Sequence, residues 1–431
     1  MTVILLLLIA FNAGAVGANG RSPLLIKKGE LLSIERCIET ALGNHPNIIA
    51  SANTVDVNRS SVGEAEADYY PQIDWSSGYS KISPVSGSNS STSTRASDTF
   101  DQYSSSVNLR QNIYNFGKTA AQVRIQRLNL DASHSDLQNV TSQVVLNVRQ
   151  AYYGILKATR DRDVAEEAVK QFQQHLEQAK GFYEVGTKPK FDVTKAEVDL
   201  SNSKLDLIRA ENSLRIAVAT LNNSMGVPDA PEYDVVDNLF FQEFGITFED
   251  AINEAYKNRP DLASARFRTR VAVESIDLAK TGHYPALTGS AAYRHTGEEF
   301  PLDEGWEAGM TLSFPLFSGY LTTHQVAGSR AALRVQTANE ELLRQNIFFE
   351  VQQAYLSLKE AGERVPAAGL VVKQAEENLE LANGRYATGV GSPIEVTDAQ
   401  VGLSNAKKSY TQALYDYKIA HASLEKAMGV R

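Results

Sequence analysis

The second half of the chain repeats the first, and this repeat limits the possible folds more than any other feature. The dipeptide Tyr70-Pro71 recurs as Tyr284-Pro285, and the segment YEVGTKPKFDV (residues 183–193) recurs as YATGVGSPIEV (residues 386–396). A unit of about two hundred residues is longer than the repeats of solenoid proteins. The sequence therefore predicts two similar halves that share one structure.

Each half is predicted to contain two strands and one long helical hairpin. We place the first repeat at residues 31–226 and the second repeat at residues 246–429. The strands are predicted at about residues 71–82, 102–115, 285–296 and 306–317, and the hairpins at about residues 118–225 and 320–428. The segment Pro84–Thr99 is rich in Ser and Thr, which is typical of an exposed flexible loop.

Small and large apolar side chains alternate along the predicted hairpins at steps of three and four residues. In the second hairpin these positions are Val396, Ala399, Leu403, Ala406, Tyr410, Ala413, Tyr417, Ala420 and Leu424. Such spacing is typical of coiled coils, and the small residues let helices approach closely. We expect the closest approach at Ala210 and Ala413.

The predicted helices are unusually long. A helix over Lys118–Glu184 would measure ~100 Å at about 1.5 Å per residue, which only a rod, a bundle or a tube accommodates. Pro366 falls inside the matching helix of the second half. Because proline removes a backbone donor, we expect a bend there.

Other segments bear on membranes. Residues 1–18 resemble a secretory signal peptide, with an apolar stretch followed by small residues. No later segment approaches the ~20 apolar residues of a membrane helix, so entry into a membrane would require strands.

In each predicted strand, apolar and polar side chains alternate over about ten residues, a length that crosses a bilayer when the strand is tilted. Two soluble hairpins packed on a core are the alternative. A closed barrel needs about eight strands, so four per chain would require several chains.

Composition argues against several function classes. A net charge of −9 argues against nucleic acid as a partner, because phosphate binding needs a basic surface. Cys37 is the only cysteine, so neither a disulfide framework nor a thiolate cluster is expected. The seven histidines form no metal-binding motif and are expected on helix surfaces. We expect no enzyme, no cofactor and no metal site.

The duplication, the order of strands and helices and the two hairpin tips together resemble the outer membrane efflux protein family, the TolC-like exit ducts of Gram-negative bacteria. The likeness extends over essentially the whole chain after the signal peptide. It implies a mainly α fold with a small β part. Long coiled-coil helices would form an α-helical barrel, and four strands per protomer would join a trimeric, twelve-stranded transmembrane β-barrel.

The resemblance also implies a function. The chain would be a passive exit channel in the cell outer membrane, extending into the periplasm, for small molecules such as drugs or for proteins. The implied partners are two further copies in a homotrimer, a periplasmic adaptor (membrane fusion protein), an inner-membrane pump of the RND, ABC or MFS type, and outer membrane lipid. Two other readings stay open: a periplasmic coiled-coil adaptor and a stalk-like structural protein.

The resemblance assigns a periplasmic gate to the hairpin tips. Glu395 and Asp398 match an acidic pair one helical turn apart, for which a solvated helix face is the alternative. Asp192 and Tyr386 match polar links of the closed state. Gly391 stands where the family member with the best-known lock has an arginine, which makes the same lock doubtful here.

The remaining expectations for the tips follow from the same resemblance. Arg385, Lys188 and Lys190 are candidates to replace the absent arginine. Six residues match positions that contact the adaptor, although turn chemistry also accounts for them: Val185, Gly186, Thr187, Thr388, Gly389 and Val390. In a trimer, three acidic pairs would crowd one constriction, raise the pKa of some carboxylates and attract multivalent cations.

Overall fold

A computed structural model describes residues 26–83 and 99–430. The predicted signal peptide, residues 1–18, and all of the Ser- and Thr-rich segment except Thr99 lie outside the described residues. Within the described ranges the chain is mainly helical, with eight α-helices and six β-strands. None of the helices in these ranges is long and apolar enough to cross a membrane.

The elements follow the same order in both halves. In the first half they are β1 (Leu31–Leu32), α1 (Ile34–Asn44), α2 (Pro46–Glu66), β2 (Gln72–Ile82), β3 (Phe100–Tyr114), α3 (Lys118–Glu184) and α4 (Lys190–Met225). In the second half they are β4 (Asp234–Val235), α5 (Phe248–Asn258), α6 (Pro260–Lys280), β5 (Ala286–Gly297), β6 (Asp303–Ser313), α7 (Leu321–Ala387) and α8 (Pro393–Ala427). Helices α3 and α7 each have 67 residues. The two halves therefore share their element order and the length of their longest helix.

The chain forms two compact units. The first contains residues up to Pro46, Val144–Gln242 and Glu363–Ile419. The second contains Asn47–Gln143, Glu243–Gly362 and the residues from Ala420 onwards. Both hairpin tips belong to the first unit, and the strands β2, β3, β5 and β6 belong to the second.

The second unit contains an antiparallel sheet with strand order β2-β3-β5-β6. Trp75 lies opposite Val107, Val107 opposite Tyr293, and Tyr293 opposite Trp306, so these side chains share one face. That face is mostly apolar and also carries Ile73, Tyr79, Leu109, Ala291, Met310 and Leu312. The other face is mostly polar and carries Asp74, Ser76, Asn108, Arg110, Ser290, Arg294, Glu307 and Thr311.

Strand β6 differs from the sequence-based prediction. The alternation of side chains predicts a strand at about residues 306–317, whereas β6 runs from Asp303 to Ser313. Pro315 follows the strand closely, and proline cannot donate a hydrogen bond to a neighbouring strand. The apolar residues Leu316 and Phe317 therefore continue the alternation in sequence but lie beyond the paired strand.

Each long hairpin ends against the backbone that joins two short helices. Gly226 has a φ of 74°, and a Cβ at this position would lie 2.8 Å from the carbonyl oxygen of Asn44. Gly429 has a φ of 72°, and a Cβ there would lie 2.8 Å from the backbone nitrogen of Arg259. Such distances exclude any side chain, so only glycine permits this approach in either half.

Helix α7 continues through Pro366 without interruption. Pro366 lacks an N–H group, so the carbonyl of Gly362 loses its helical hydrogen bond. The bend expected at this level stays a prediction.

Apolar seams hold each hairpin together in the first unit. Between α3 and α4, the buried residues are Phe172, Leu176, Ala179, Ala196 and Leu200. Between α7 and α8, they are Leu379, Ala382, Tyr386, Val396, Ala399 and Leu403. Further along α8, Ala413 is 1% exposed, whereas Ala210 on α4 is only partly buried. Ala413 therefore lies in a packed interface, whereas Ala210 lies at the side of a groove of about 900 Å³.

Candidate functional site at the hairpin tips

The first tip, residues 183–193, turns on a single glycine. Helix α3 ends at Glu184, and Gly186 adopts a φ of 77°. The backbone N–H groups of Thr187 and Lys188 both donate to the carbonyl of Phe182, at 3.0 and 3.3 Å. These bonds satisfy a carbonyl group that a helix end otherwise leaves free.

The second tip, residues 386–396, repeats this backbone arrangement. Gly389 has a φ of 82°, and the N–H groups of Val390 and Gly391 donate to the carbonyl of Arg385, at 3.1 and 2.8 Å. A Cβ at Gly391 would lie 2.9 Å from the backbone nitrogen of Tyr386. An arginine at position 391 therefore does not fit this backbone unless the turn moves.

Glu395 is held by its own tip. Its backbone N–H donates to the Ser392 hydroxyl at 3.3 Å, and its carboxylate accepts from the Ser392 N–H at 3.4 Å. This reciprocal pair is a capping box at the start of α8. Arg385 Nε donates to the same carboxylate at 3.1 Å. The hydrogen bond from Arg385 and that from Ser392 hold the pKa of Glu395 below its usual range.

Tyr386 lies at the centre of the site. It is 1% exposed, and its ring contacts the rings of His175 and Phe182, with centroids 5.0 and 5.7 Å apart. Lys188 Nζ lies 5.4 Å from the centroid of the Tyr386 ring, a distance that allows a cation–π interaction. Burial, together with the charge of Asp192, raises the pKa of Tyr386.

The predicted link between Asp192 and Tyr386 is only partly present. Asp192 is 5% exposed and close enough to affect the Tyr386 pKa. The buried hydroxyl of Tyr386, however, has no hydrogen-bond partner among the described residues. The structure thus brings the two residues together without forming the bond.

Polar contacts connect the first hairpin to the second. Thr397 Oγ1 donates to Asp199 Oδ2 at 2.9 Å, and Lys195 pairs with the same Asp199 carboxylate. Lys407 Nζ donates to Glu167 Oε2 at 2.7 Å. A further hydrogen bond joins the Gln171 and Gln400 side chains. Each hairpin is therefore closed by apolar packing, and polar and aromatic contacts join the two hairpins.

The other predicted residues are exposed. Asp398 is exposed, and no hydrogen bond or ion pair is found for it within the described residues. The six tip residues that the resemblance predicts to contact an adaptor are all exposed, with Val185 at 71% and Val390 at 72%. Exposed valines at both turns are apolar groups available for a partner.

One expectation about histidines is wrong. The seven were expected on helix surfaces, but His175 is 5% exposed. It follows Ala168 and Phe172 and precedes Ala179 at steps of four, three and four residues, the spacing of the α3 seam. That spacing was the signal for its burial, whereas Asp199 and Thr397 carried no sequence sign of their pairing.

This architecture is that of outer-membrane channels with solved structures. The Campylobacter jejuni CmeC outer membrane channel has a TM-score of 0.81 at 18% identity, covering 92% of this chain and 85% of that one. A crystal structure of CusC has a TM-score of 0.79 at 19% identity, covering 95% of this chain and 96% of that one. At such identities the likeness establishes the fold.

The family follows from the sequence comparisons. The chain matches the outer membrane efflux protein family over residues 37–227 and 251–430. The outer membrane protein TolC of Vibrio cholerae serotype O1 is 25% identical over 401 residues, which cover 90% of this chain and 88% of that protein. Because the match spans most of both halves, this chain belongs to the outer membrane efflux protein family. The predicted family and outer-membrane location are confirmed.

Proposed function

We propose that this chain is the exit duct of a tripartite efflux or type I secretion assembly, closed at its periplasmic end by the two hairpin tips. Family membership supports the duct. The observation that supports the gate is that each hairpin is closed by its own apolar seam, whereas polar and aromatic contacts join one hairpin to the other. Polar contacts exchange for water at little cost, so the hairpins can separate while each stays intact. The adaptor and stalk readings are not favoured, because the family match covers both repeats.

Three copies would complete the membrane part. In one chain the strands β2 and β6 are the edges of the sheet, and lipid does not tolerate open edges. Three four-stranded sheets would close into a twelve-stranded barrel. The apolar face with Trp306, Met310 and Leu312 would then contact lipid, and the polar face would line the lumen.

A charge on each face tests this arrangement. Leu312→Arg places a charge on the apolar face, which costs ~2–4 kcal/mol at the bilayer midplane. Thr311→Arg, on the opposite face of the same strand, is the matched control and should be tolerated. We expect less heat-resistant trimer in outer-membrane fractions for Leu312→Arg alone. Equal trimer yield for both variants would contradict the lipid-facing assignment.

The gate charges have unequal roles in this proposal. Arg385 pairs with Glu395 and so takes the part of the arginine missing at position 391. Asp398 is exposed beside it on the next turn of α8. In a trimer, three Asp398 carboxylates would supply most of the uncompensated negative charge at the constriction.

Planar-bilayer recording with a multivalent cation on the tip side tests the gate. The cation should block current, more weakly at high salt. Replacing both Glu395 and Asp398 by Ala should abolish the block, and Asp398→Ala alone should weaken it more than Glu395→Ala alone. Persistent block in the double variant would place the acidic ring elsewhere. Absence of any channel current from correctly folded trimer would contradict the duct itself.

The exposed tips would dock a periplasmic adaptor that connects the duct to an RND, ABC or MFS pump. Val185 and Val390 are the most exposed apolar side chains of the two turns. Cysteine at either position should cross-link to the adaptor in cells, and cysteine at Lys81, near the far end of β2, should not. The pump would choose the exported drug, other small molecule or protein.

A further inference from the structure

The tip site contains a buried titratable group that the gate as proposed does not use. His175 lies on α3, and its imidazole packs against the Tyr386 ring with centroids 5.0 Å apart. The side chain is 5% exposed. It is therefore part of the contact that joins the first hairpin to α7.

The surroundings of His175 include charges of both signs. From α4, the carboxylates of Asp192 and Asp199 favour the protonated imidazole, and Lys195 opposes it. From α7, the neighbour is the Tyr386 ring. Burial has the largest effect and lowers the pKa of His175 below its ordinary value despite the two carboxylates.

Neither carboxylate forms a hydrogen bond or an ion pair with His175 within the described residues. Asp199 already accepts from Lys195 and from Thr397. Lys188 Nζ, a further positive charge, lies 5.4 Å from the centroid of the Tyr386 ring. The Tyr386 hydroxyl is buried without a partner. Protonated His175 would therefore gain from hydration, and separation of its imidazole from the Tyr386 ring would provide it.

We propose that His175 is a proton-sensitive latch, and that its protonation releases Tyr386 from the first hairpin and opens the tips. A ligand shifts an equilibrium toward the state that binds it more tightly. Here the ligand is the proton, and the released state, in which the imidazole is hydrated, binds it more tightly. The closed state is fully stable above the ordinary histidine pKa of 6.5 and loses stability as pH falls below it. This inference rests on the proposed gate.

Single-channel recording of the reconstituted full-length trimer tests the latch. The pH on the tip side is stepped from about 7.5 to about 5.5, which brackets the ordinary histidine value. We expect a several-fold rise in open probability for the unmodified protein. His175→Gln, which cannot be protonated, should remove this response and keep the open probability of neutral pH. His134→Gln, the same change at an exposed position of α3, is the control and should keep the response.

The outcomes separate the latch from the gate. An unchanged pH response in His175→Gln, or no response in the unmodified channel, would overturn the latch and leave the duct intact. Absence of current at every pH would instead count against the proposed function. If His175→Gln yields no trimer, NMR titration of the unmodified protein decides. An imidazole that titrates well below 6.5 at the closed tip supports the latch, and one that titrates at its ordinary value overturns it.

Discussion

The two repeats share a backbone design and differ in their polar residues. Both tips turn on a left-handed glycine, and both place two N–H donors on one carbonyl. The first tip then has Lys188, Asp192 and Lys195 where the second has Gly391, Glu395 and Asp398. Asp192 of the first tip is buried, whereas Glu395 of the second tip is exposed and paired with Arg385. Conformation is thus common to the repeats, and charge is what distinguishes them.

The same contrast holds where the short helices meet the end of the hairpin. In the second repeat, the buried Arg259 guanidinium pairs with Asp261 and Glu350, at 2.7 and 2.6 Å, and also donates to the Ala427 carbonyl. In the first repeat, His45 occupies the corresponding position. One repeat therefore relies on a charged network where the other uses a smaller side chain.

Arg259→Met should give the largest effect, because it removes the buried cation that Asp261 and Glu350 share. Breaking a buried ion pair costs about 3 kcal/mol or more. The low end applies, since Glu350 is 39% exposed and also pairs with Lys426. Thermal unfolding in detergent measures the loss, and His45→Met is the matched variant with a smaller expected loss. Equal losses would mean that the charged network does not distinguish the repeats.

Lower pH should reduce the difference in stability between the unmodified protein and Arg259→Met. Burial alone would raise the pKa of Asp261 and of Glu350, but hydrogen bonds from Arg259 and Lys426 outweigh it and lower both. Their stabilisation is present above the ordinary values of 3.8 and 4.5 and is lost as pH falls below them. The gap in melting temperature between the unmodified protein and Arg259→Met should therefore narrow at about pH 3.5. A constant gap would assign the effect to lost packing.

Helices and turns were the features most open to prediction from sequence, because the pattern itself contains their physics. Seam spacing requires long paired helices, and Gly with Pro at residues 186–189 and 389–393 requires tight turns. The bounds of strand β6 are predicted less accurately, because the alternation of apolar and polar side chains continues past Pro315 although strand pairing does not.

The polar pairing of the site was not predictable in the same way. Asp199 and Thr397 are 198 residues apart, and nothing local to either residue indicates the other. The burial of His175 is predictable from the spacing of the α3 seam, although the histidines as a set show no pattern. Arg385 was one of three candidates, and only the geometry pairs it with Glu395. Long-range polar contacts depend on how the hairpins meet, which periodicity does not encode.

Substitutions in the apolar seams should distinguish the two repeats by a smaller change in stability. Ala413 is 1% exposed, so Ala413→Leu should overpack the second hairpin by ~1–3 kcal/mol. Ala210, its counterpart in the first hairpin, lies beside a groove of about 900 Å³. We expect Ala210→Leu to be tolerated in thermal unfolding. A larger loss at Ala210 would show that this groove is filled in the assembled protein.

The capping box gives the smallest expected effect and the most local one. Ser392 caps α8 with its hydroxyl, whereas Pro189 at the start of α4 provides no side-chain cap. Ser392→Ala should cost ~0.5–2 kcal/mol, as N-cap replacements generally do. Amide hydrogen exchange at residues 392–396 should speed up, and exchange at residues 189–193 should not change. Pro189→Ala is the control and should leave both tips unaltered by this measure. The Glu395 carboxylate keeps both of its donors in Ser392→Ala, because these are the Ser392 backbone N–H and Arg385, so its pKa should stay below 4.5. A return to that value would mean that the Ser392 hydroxyl, through the capping box, holds the carboxylate at the second tip.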